Sequence, residues 1–251
     1  MSDLYWLTDE QMARLKPFFP LSHGVPRVDD RRVLSGIIFV NRIGLRWRDA
    51  PAEYGPHKTL YNRWFHWSQK GIFARILLEL VSQDVETEMI MIDATHLKAH
   101  RTASSLRKKG GSKRLIGQTR GGMNSKLHVV CDSRVRPIQM YLSAGQTSDY
   151  VGAAGLLRFM PPVKCLLADR GYDADWFRNA LIDRDITPCI PSKKNRKVQI
   201  PHDTALYKKR HKIENMFGRL KDWRRIAMRY DRRADIFLSA CALAAIVLFW
   251  L

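Results

Sequence analysis

The chain has 251 residues, 43 of them Lys or Arg against 24 Asp or Glu, giving a net charge of +19 and a pI of about 10.1. With 45% hydrophobic and 27% charged residues, the composition excludes wholesale disorder, and the length suits one large domain or two small ones. The cationic surplus repels itself unless a polyanion is present, so nucleic acid is the first expected partner and an acidic membrane surface the second. Cys131, Cys165, Cys189 and Cys241 are too scattered for a zinc clip or a disulfide framework. Their apolar neighbours lead us to expect reduced, buried thiols. Residues 1–4 lack the basic start and apolar run of a secretory leader, so a cytoplasmic chain is expected.

Residues 1–86 read as short helices. Thr8-Asp9-Glu10-Gln11 has the form of a capping box, with a stop at Pro17. Asp29-Asp30 opens a second helix carrying Val33, Leu34, Ile37, Ile38 and Ile43 at helical spacing. Gly44, Pro51, Gly55 and Pro56 break residues 44–58 into a loop. Thr59 is expected to cap a helix over 60–69, and Gly71 to separate it from one over 72–85. This succession suits a helix-turn-helix arrangement.

From residue 87 the pattern changes. Strands are expected over 89–94, 126–132, 138–142, 163–168 and 186–190. Helices are expected over 149–160, 174–183 and 204–226. Strands followed by alternating strand and helix imply an α/β domain with a mixed sheet over 87–251. Residues 101–120 hold seven Lys or Arg and no acid, the composition of a mobile basic loop. Residues 236–251 carry no charge. Sixteen residues fall short of the roughly 20 of a membrane span, so 234–251 reads as a buried closing helix.

Acids are scarce, so their placement is informative. Asp93 interrupts the apolar run Met89–Ala94, where a charge is costly unless it is paired or binds a metal. Asp169 ends the run 163–168, and the ends of α/β strands are where ligand sites gather. Glu214 sits in a basic helix. Three such carboxylates suit Mg²⁺ or Mn²⁺, and paired ions of this kind serve phosphoryl transfer. Without metal, at least one should hold its proton more tightly. The alternative is ordinary: an acid before Arg-Gly in a turn, and an acid paired along a helix.

Tyr207, Arg210, Glu214 and Lys221 follow one another as Tyr, two residues, Arg, three residues, Glu, six residues, Lys. At 100° per residue they lie close to one helix face. This order resembles the tyrosine-arginine-glutamate-lysine motif of DDE insertion-sequence transposases. Residues 92–100 (IDATHLKAH) and 167–173 (LADRGYD) are similar to the family's first and second aspartate segments. Residues 121–128 (GGMNSKLH), 191–197, 47–51, 59–64 and 229–231 extend the likeness, most closely to the Insertion Sequence Five family, over nearly the whole chain.

The resemblance implies a ribonuclease-H-like fold behind an N-terminal helical DNA-binding region. It implies Asp93, Asp169 and Glu214 as catalytic ligands of Mg²⁺ or Mn²⁺. It also implies cutting at the ends of a mobile element and joining of the freed 3′-hydroxyl to target DNA. The partners would be double-stranded DNA, as terminal inverted repeats and target, and a second or further copy of the chain. Membrane has no part in it.

From Lys193 to Arg233 there are fifteen Lys or Arg and four acids, so DNA binding should weaken steeply with salt. Arg210 and Lys221 are assigned to phosphates and Tyr207 to packing or a hydrogen bond beside them; pairing of Arg210 with Glu214 is the alternative. Lys126 and His128 of the glycine-rich segment are counted as DNA contacts. Asn62 and Arg63, on the expected helix 60–69, are candidates to read bases in the major groove, with Trp64 and Trp67 as core. Trp223 is a weaker candidate to stack on an unpaired base. His96 and His100 are left unassigned. The rivals are a stand-alone nuclease of the same fold, a DNA-binding protein that no longer cuts, and a membrane-anchored basic protein.

Overall fold

The computed structural model describes residues 3–20, 29–86, 88–105 and 114–251. Helices α1 (Asp9–Leu15), α2 (Asp30–Ile43), α3 (His57–Gln69) and α4 (Ile72–Asp84) come first. The capping box of α1 is formed: Thr8 Oγ1 accepts from Gln11 N, and Gln11 Oε1 accepts from Thr8 N. Asp29 caps α2. The start of α3 corrects the expectation. Its first turn begins at His57, behind Pro56, so Thr59 lies inside the helix and caps nothing. Proline before the first turn presets φ for a helix and marks the start that Thr59 was expected to give.

The rest of the chain is a mixed sheet with flanking helices. In chain order it comprises β1 (Met89–Ala99), α5 (Arg101–Ser104), β2 (Gly117–Thr119), β3 (Gly122–Cys131), β4 (Pro137–Ala144), α6 (Asp149–Leu157), β5 (Cys165–Leu167), α7 (Asp175–Ile182) and β6 (Thr187–Cys189). Then follow α8 (Thr204–Tyr207), α9 (Lys212–Lys221), α10 (Arg224–Ala227), β7 (Met228–Arg229) and α11 (Ala234–Ala245). The sheet order is β2-β3-β1-β5-β6, with β4 also on β3 and β7 also on β1. β3 runs antiparallel to β1, while β5 and β7 run parallel to it. An N-terminal helical region followed by a mixed α/β sheet is the architecture of the ribonuclease-H-like transposase fold.

Several elements depart from the sequence expectation for identifiable reasons. β1 continues five residues past Ala94, because Thr95, His96 and Lys98 keep pairing with β3 although they are polar. The expected helix over 204–226 is broken into α8, a 3₁₀ turn at Lys208–His211, α9 and α10. The second break falls where Trp223 leaves helical geometry to enter the core. Of the expected loop 101–120, residues 106–113 lie outside those described; its flanks form α5 and β2.

One apolar core runs from Leu7 to Trp250. Helix α11 packs against α2, α3, α4 and β4, so it lies between the N-terminal helices and the sheet. Beyond it a π-helical turn, Ile246–Trp250, ends on Trp250. The Trp250 indole donates to Pro137 O at 2.9 Å, its carbonyl accepts from Arg14 Nη1 at 2.8 Å, and Arg136 stacks on its ring at 4.1 Å. Among the described residues, no helix is long and apolar enough to cross a membrane. The four cysteines are free; Cys131, Cys189 and Cys241 are buried, but Cys165 is only half-buried.

A buried polar side chain and a close glycine contact join the parts. Arg229 is fully buried and donates to Ser125 Oγ at 2.6 Å and to the carbonyls of Arg114 and Asp231, each at 2.8 Å. Gly44 closes α2 in the left-handed region at φ +83°, and a Cβ there would stand 2.7 Å from Arg224 Cβ. Gly44→Ala therefore strains both the backbone and the α2–α10 contact. We expect it to lower unfolding free energy by about 2 kcal/mol in chemical denaturation; an unchanged midpoint would contradict that packing.

Candidate active site at the ends of β1 and β5

Asp93 and Asp169 are placed by strand register. Met91 of β1 pairs with Leu167 of the parallel β5. Each Asp follows two residues beyond that pair, Asp93 within β1 and Asp169 just past the end of β5, which brings both to the same end of the parallel pair. Asp169 then caps the turn Arg170–Tyr172, accepting from Gly171 N at 2.8 Å. Opposite Ile92–Leu97, no described strand pairs on this edge of β1: β5 ends at Met91 and β7 begins at Lys98.

Helix α9 and the turn before it face this opening. Arg210 Nη1 donates to Asp93 Oδ2 at 2.8 Å, and Arg210 Nη2 donates to Glu214 Oε1 at 3.2 Å. One guanidinium thus joins two carboxylates 121 positions apart in sequence. The 3₁₀ turn brings residues three apart into line, and Arg210 lies 5.9 Å from the Tyr207 ring centroid. Lys221 Nζ donates to Thr95 Oγ1 at 2.7 Å, two residues along β1 from Asp93. Burial pushes the Asp93 carboxyl above its usual range; Ala94 N and Arg210 oppose this, and Asp169 adds to it. Burial also lowers the Lys221 ammonium.

These oxygen donors fit a hard divalent cation in kind: two carboxylates on adjacent strands, one of them already resisting ionisation beside the other. Among the described residues, however, no three His, Cys, Asp or Glu side chains stand close enough to hold a metal ion. Glu214 is tied to the pair only through Arg210. Arg210 shows the carboxylate pairing weighed as its alternative, extended to Asp93.

Three expected DNA contacts are internal and are corrected here. His128 is fully buried under α6, bonded to Ser143 Oγ at 2.8 Å, and a Cβ on Gly152 would come within 2.0 Å of its ring. Lys126, nearly as buried, donates to Thr147 O at 2.7 Å and to Asp149 at 3.2 Å. Both project from the face of β3 opposite Asp93, because Ala94 and His96, not Asp93, are their register partners. Trp223 is core, 1% exposed. On α3, Asn62 is exposed, whereas Arg63 is half-buried, pairs with Asp30 at 2.8 Å and lies 5.7 Å from the Trp67 centroid. His96 bonds Gly145 O, and His100 caps α5.

Asp173 was missed by sequence reasoning. It is buried and accepts from Arg178 Nε at 2.8 Å, Lys193 N at 2.8 Å and Arg196 Nε at 3.0 Å. Burial pushes this carboxyl up, but the Arg196, Lys193 and Arg178 hydrogen bonds overcome it and bring it down to about 2. It anchors the basic segment 193–196 four residues from Asp169. A second acid so close to Asp169, in a chain short of acids, was the available signal.

Two family models match the chain. "Putative transposase of IS4/5 family" covers residues 7–77 and "Transposase DDE domain" covers residues 86–250. Among curated relatives, "Putative transposase for insertion sequence element IS6501" from Brucella ovis is 35% identical over 131 residues, 51% of this chain and 99% of that protein. Its counterpart for element IS402 from Burkholderia cepacia is 31% identical over 137 residues, 50% of this chain and 63% of that protein. Among solved structures, a piggyBac transposase synaptic complex with hairpin DNA superposes with a TM-score of 0.53 at 9% identity. That match covers 94% of this chain and 69% of the piggyBac chain and shows the shared fold.

The buried His128 gives a pH prediction. Burial is the main cause that lowers its pKa from 6.5 to about 4. As pH falls through 6.5 the unfolded chain takes up a proton there, while the folded chain does not until about 4. Stability is therefore lost across that window, by about 3 kcal/mol in all. Unfolding of the wild type and His128→Gln, compared between pH 4 and 7, should show a steeper loss of stability toward acid in the wild type; parallel curves would contradict it.

Proposed function

Since the chain belongs to the DDE transposase domain family, with an N-terminal region of the IS4/5 type, we propose that it is a metal-dependent DNA transposase of a bacterial insertion sequence. It binds terminal inverted repeats, cuts the element ends and joins the 3′-hydroxyl to target DNA. The observation that supports this reading is Arg210 bonded to both Asp93 and Glu214 at the end of the β1–β5 pair that leads to Asp169.

Asp93, Asp169 and Glu214 would hold Mg²⁺ or Mn²⁺, which supplies charge neutralisation at a phosphate and activation of the attacking oxygen. Asp93 and Asp169 form the fixed part, held by the sheet. Arg210 keeps the carboxylates from repelling one another, and on DNA binding its guanidinium turns to a phosphate. Lys221, held by Thr95 beside Asp93, meets a second phosphate, and Tyr207 supports Arg210. Residues 1–86 are the DNA-reading part and 87–251 the catalytic part. The exposed side of α3, with Asn62, His66 and Gln69, reads base edges in the major groove. Arg63 orients that helix through Asp30. Two element ends are held together by two or more copies of the chain, in the bacterial cytoplasm.

Incubation with the DNA flanking its own gene tests this. Cut ends and joined products should appear with Mn²⁺ and not with EDTA. Asp93→Asn or Asp169→Asn should lower both by about a hundredfold or more. Cutting without joining would make it a nuclease, and binding with no metal-dependent cutting would make it a DNA-binding protein.

A further inference from the structure

A cleft of about 400 Å³ lies between α3 and the segment after β7. It is separate from the carboxylates: β7 pairs with β1 at Lys98 and Ala99, six residues beyond Asp93, or roughly 20 Å along the strand. Its walls combine rings and guanidinium groups. Tyr61 and Phe65 of α3 lie 6.2 Å apart, and Trp47 meets Tyr61 edge-on at 5.8 Å. Tyr230 also lines the cleft, braced against His100 at 4.7 Å. Tyr61 and Tyr230 remain 45% and 37% exposed, unusual for such large rings lining a concavity.

The floor is Arg225, 6% exposed, lying 5.4 Å from the Trp47 centroid and 5.7 Å from that of Tyr230. It donates to Leu45 O at 3.0 Å and to Asp231 at 3.2 Å. Its Nε, and the second oxygen of Asp231, are buried without a hydrogen-bond partner among the described residues. A buried donor and a buried acceptor are thus left unmet on two residues that line the cleft. At the rim, Arg233 is paired with Asp235, whereas Arg232 has no carboxylate partner among the described residues.

Exposed aromatic rings favour a flat ligand that can stack, and the exposed Arg232 guanidinium, positioned by its Nε bond to Thr102 O at 3.0 Å, favours an anion beside it. The volume suits one small molecule and is too narrow for a duplex. From this combination we infer that the cleft binds a single unpaired nucleotide, its base between Tyr61 and Tyr230 and its phosphate on Arg232. The nucleotide can come from a single-stranded stretch of DNA or from a free mononucleotide.

Binding in EDTA, where no cleavage occurs, tests this independently of the transposase reading. The probes are a single-stranded 12-mer, the duplex of the same sequence and dAMP, with the full chain. Tyr61→Ala combined with Tyr230→Ala should weaken single-strand binding at least about tenfold and leave duplex binding within about twofold. Restoring the rings, as Tyr61→Phe with Tyr230→Phe, should restore it, which separates stacking from folding. Arg232→Gln should reduce the salt dependence of single-strand binding by about one ion. Competition by dAMP identifies a free nucleotide as a ligand, and 12-mer binding resistant to dAMP identifies the strand. Equal single-strand binding by the alanine variant and the wild type, or a parallel loss on duplex, would overturn the inference.

Discussion

Asp93 on β1 and Asp169, just past the end of the parallel β5, are near enough for the charge of one to be felt by the other, and such carboxylates repel each other unless a cation lies between or beside them. In this chain that cation is Arg210, which bonds Asp93 at 2.8 Å and Glu214 at 3.2 Å. The contact is partly buried on the Asp93 side, where screening by salt is weak, and exposed on the Glu214 side, where it is strong. Asp93 is therefore the firm end of the clasp and Glu214 the loose one. An arrangement of this kind keeps an acidic centre folded in a chain of net charge +19 while leaving one of its acids free to move.

The rest of the architecture holds this centre rigid from below. β3 braces β1 along its length, and the apolar core is continuous from the N-terminal helices through α11 to the sheet. The closing helix is the shared wall, so a change at Trp250 is felt by α1 through Arg14 and by β4 through Pro137.

Much of this was legible in the sequence because the relevant signals are local. The capping box at Thr8, the apolar run interrupted by Asp93 and the acid after residues 163–168 all follow from neighbouring residues. The parallel register that puts Asp93 beside Asp169 does not, since it is set by long-range pairing. Lys126 and His128 were misplaced because strand parity decides which face a side chain serves: Lys126 is opposite His96 and His128 opposite Ala94, away from Asp93. Trp223 was kept as a weak stacking candidate because basic neighbours mask a helix break that turns it inward. The role of Asp173 was hidden because its partners, Arg178, Lys193 and Arg196, come from two later segments.

The central claim is that Arg210 holds the place of a divalent cation among these carboxylates. A crystal structure of the chain grown with Mn²⁺ and a short DNA duplex, read by anomalous scattering, tests it most directly. The account predicts a manganese peak about 2.1 Å from oxygens of Asp93 and Asp169, with Arg210 moved off Asp93 and onto a phosphate. Arg210 still bonded to Asp93, with manganese absent from both aspartates, would contradict it.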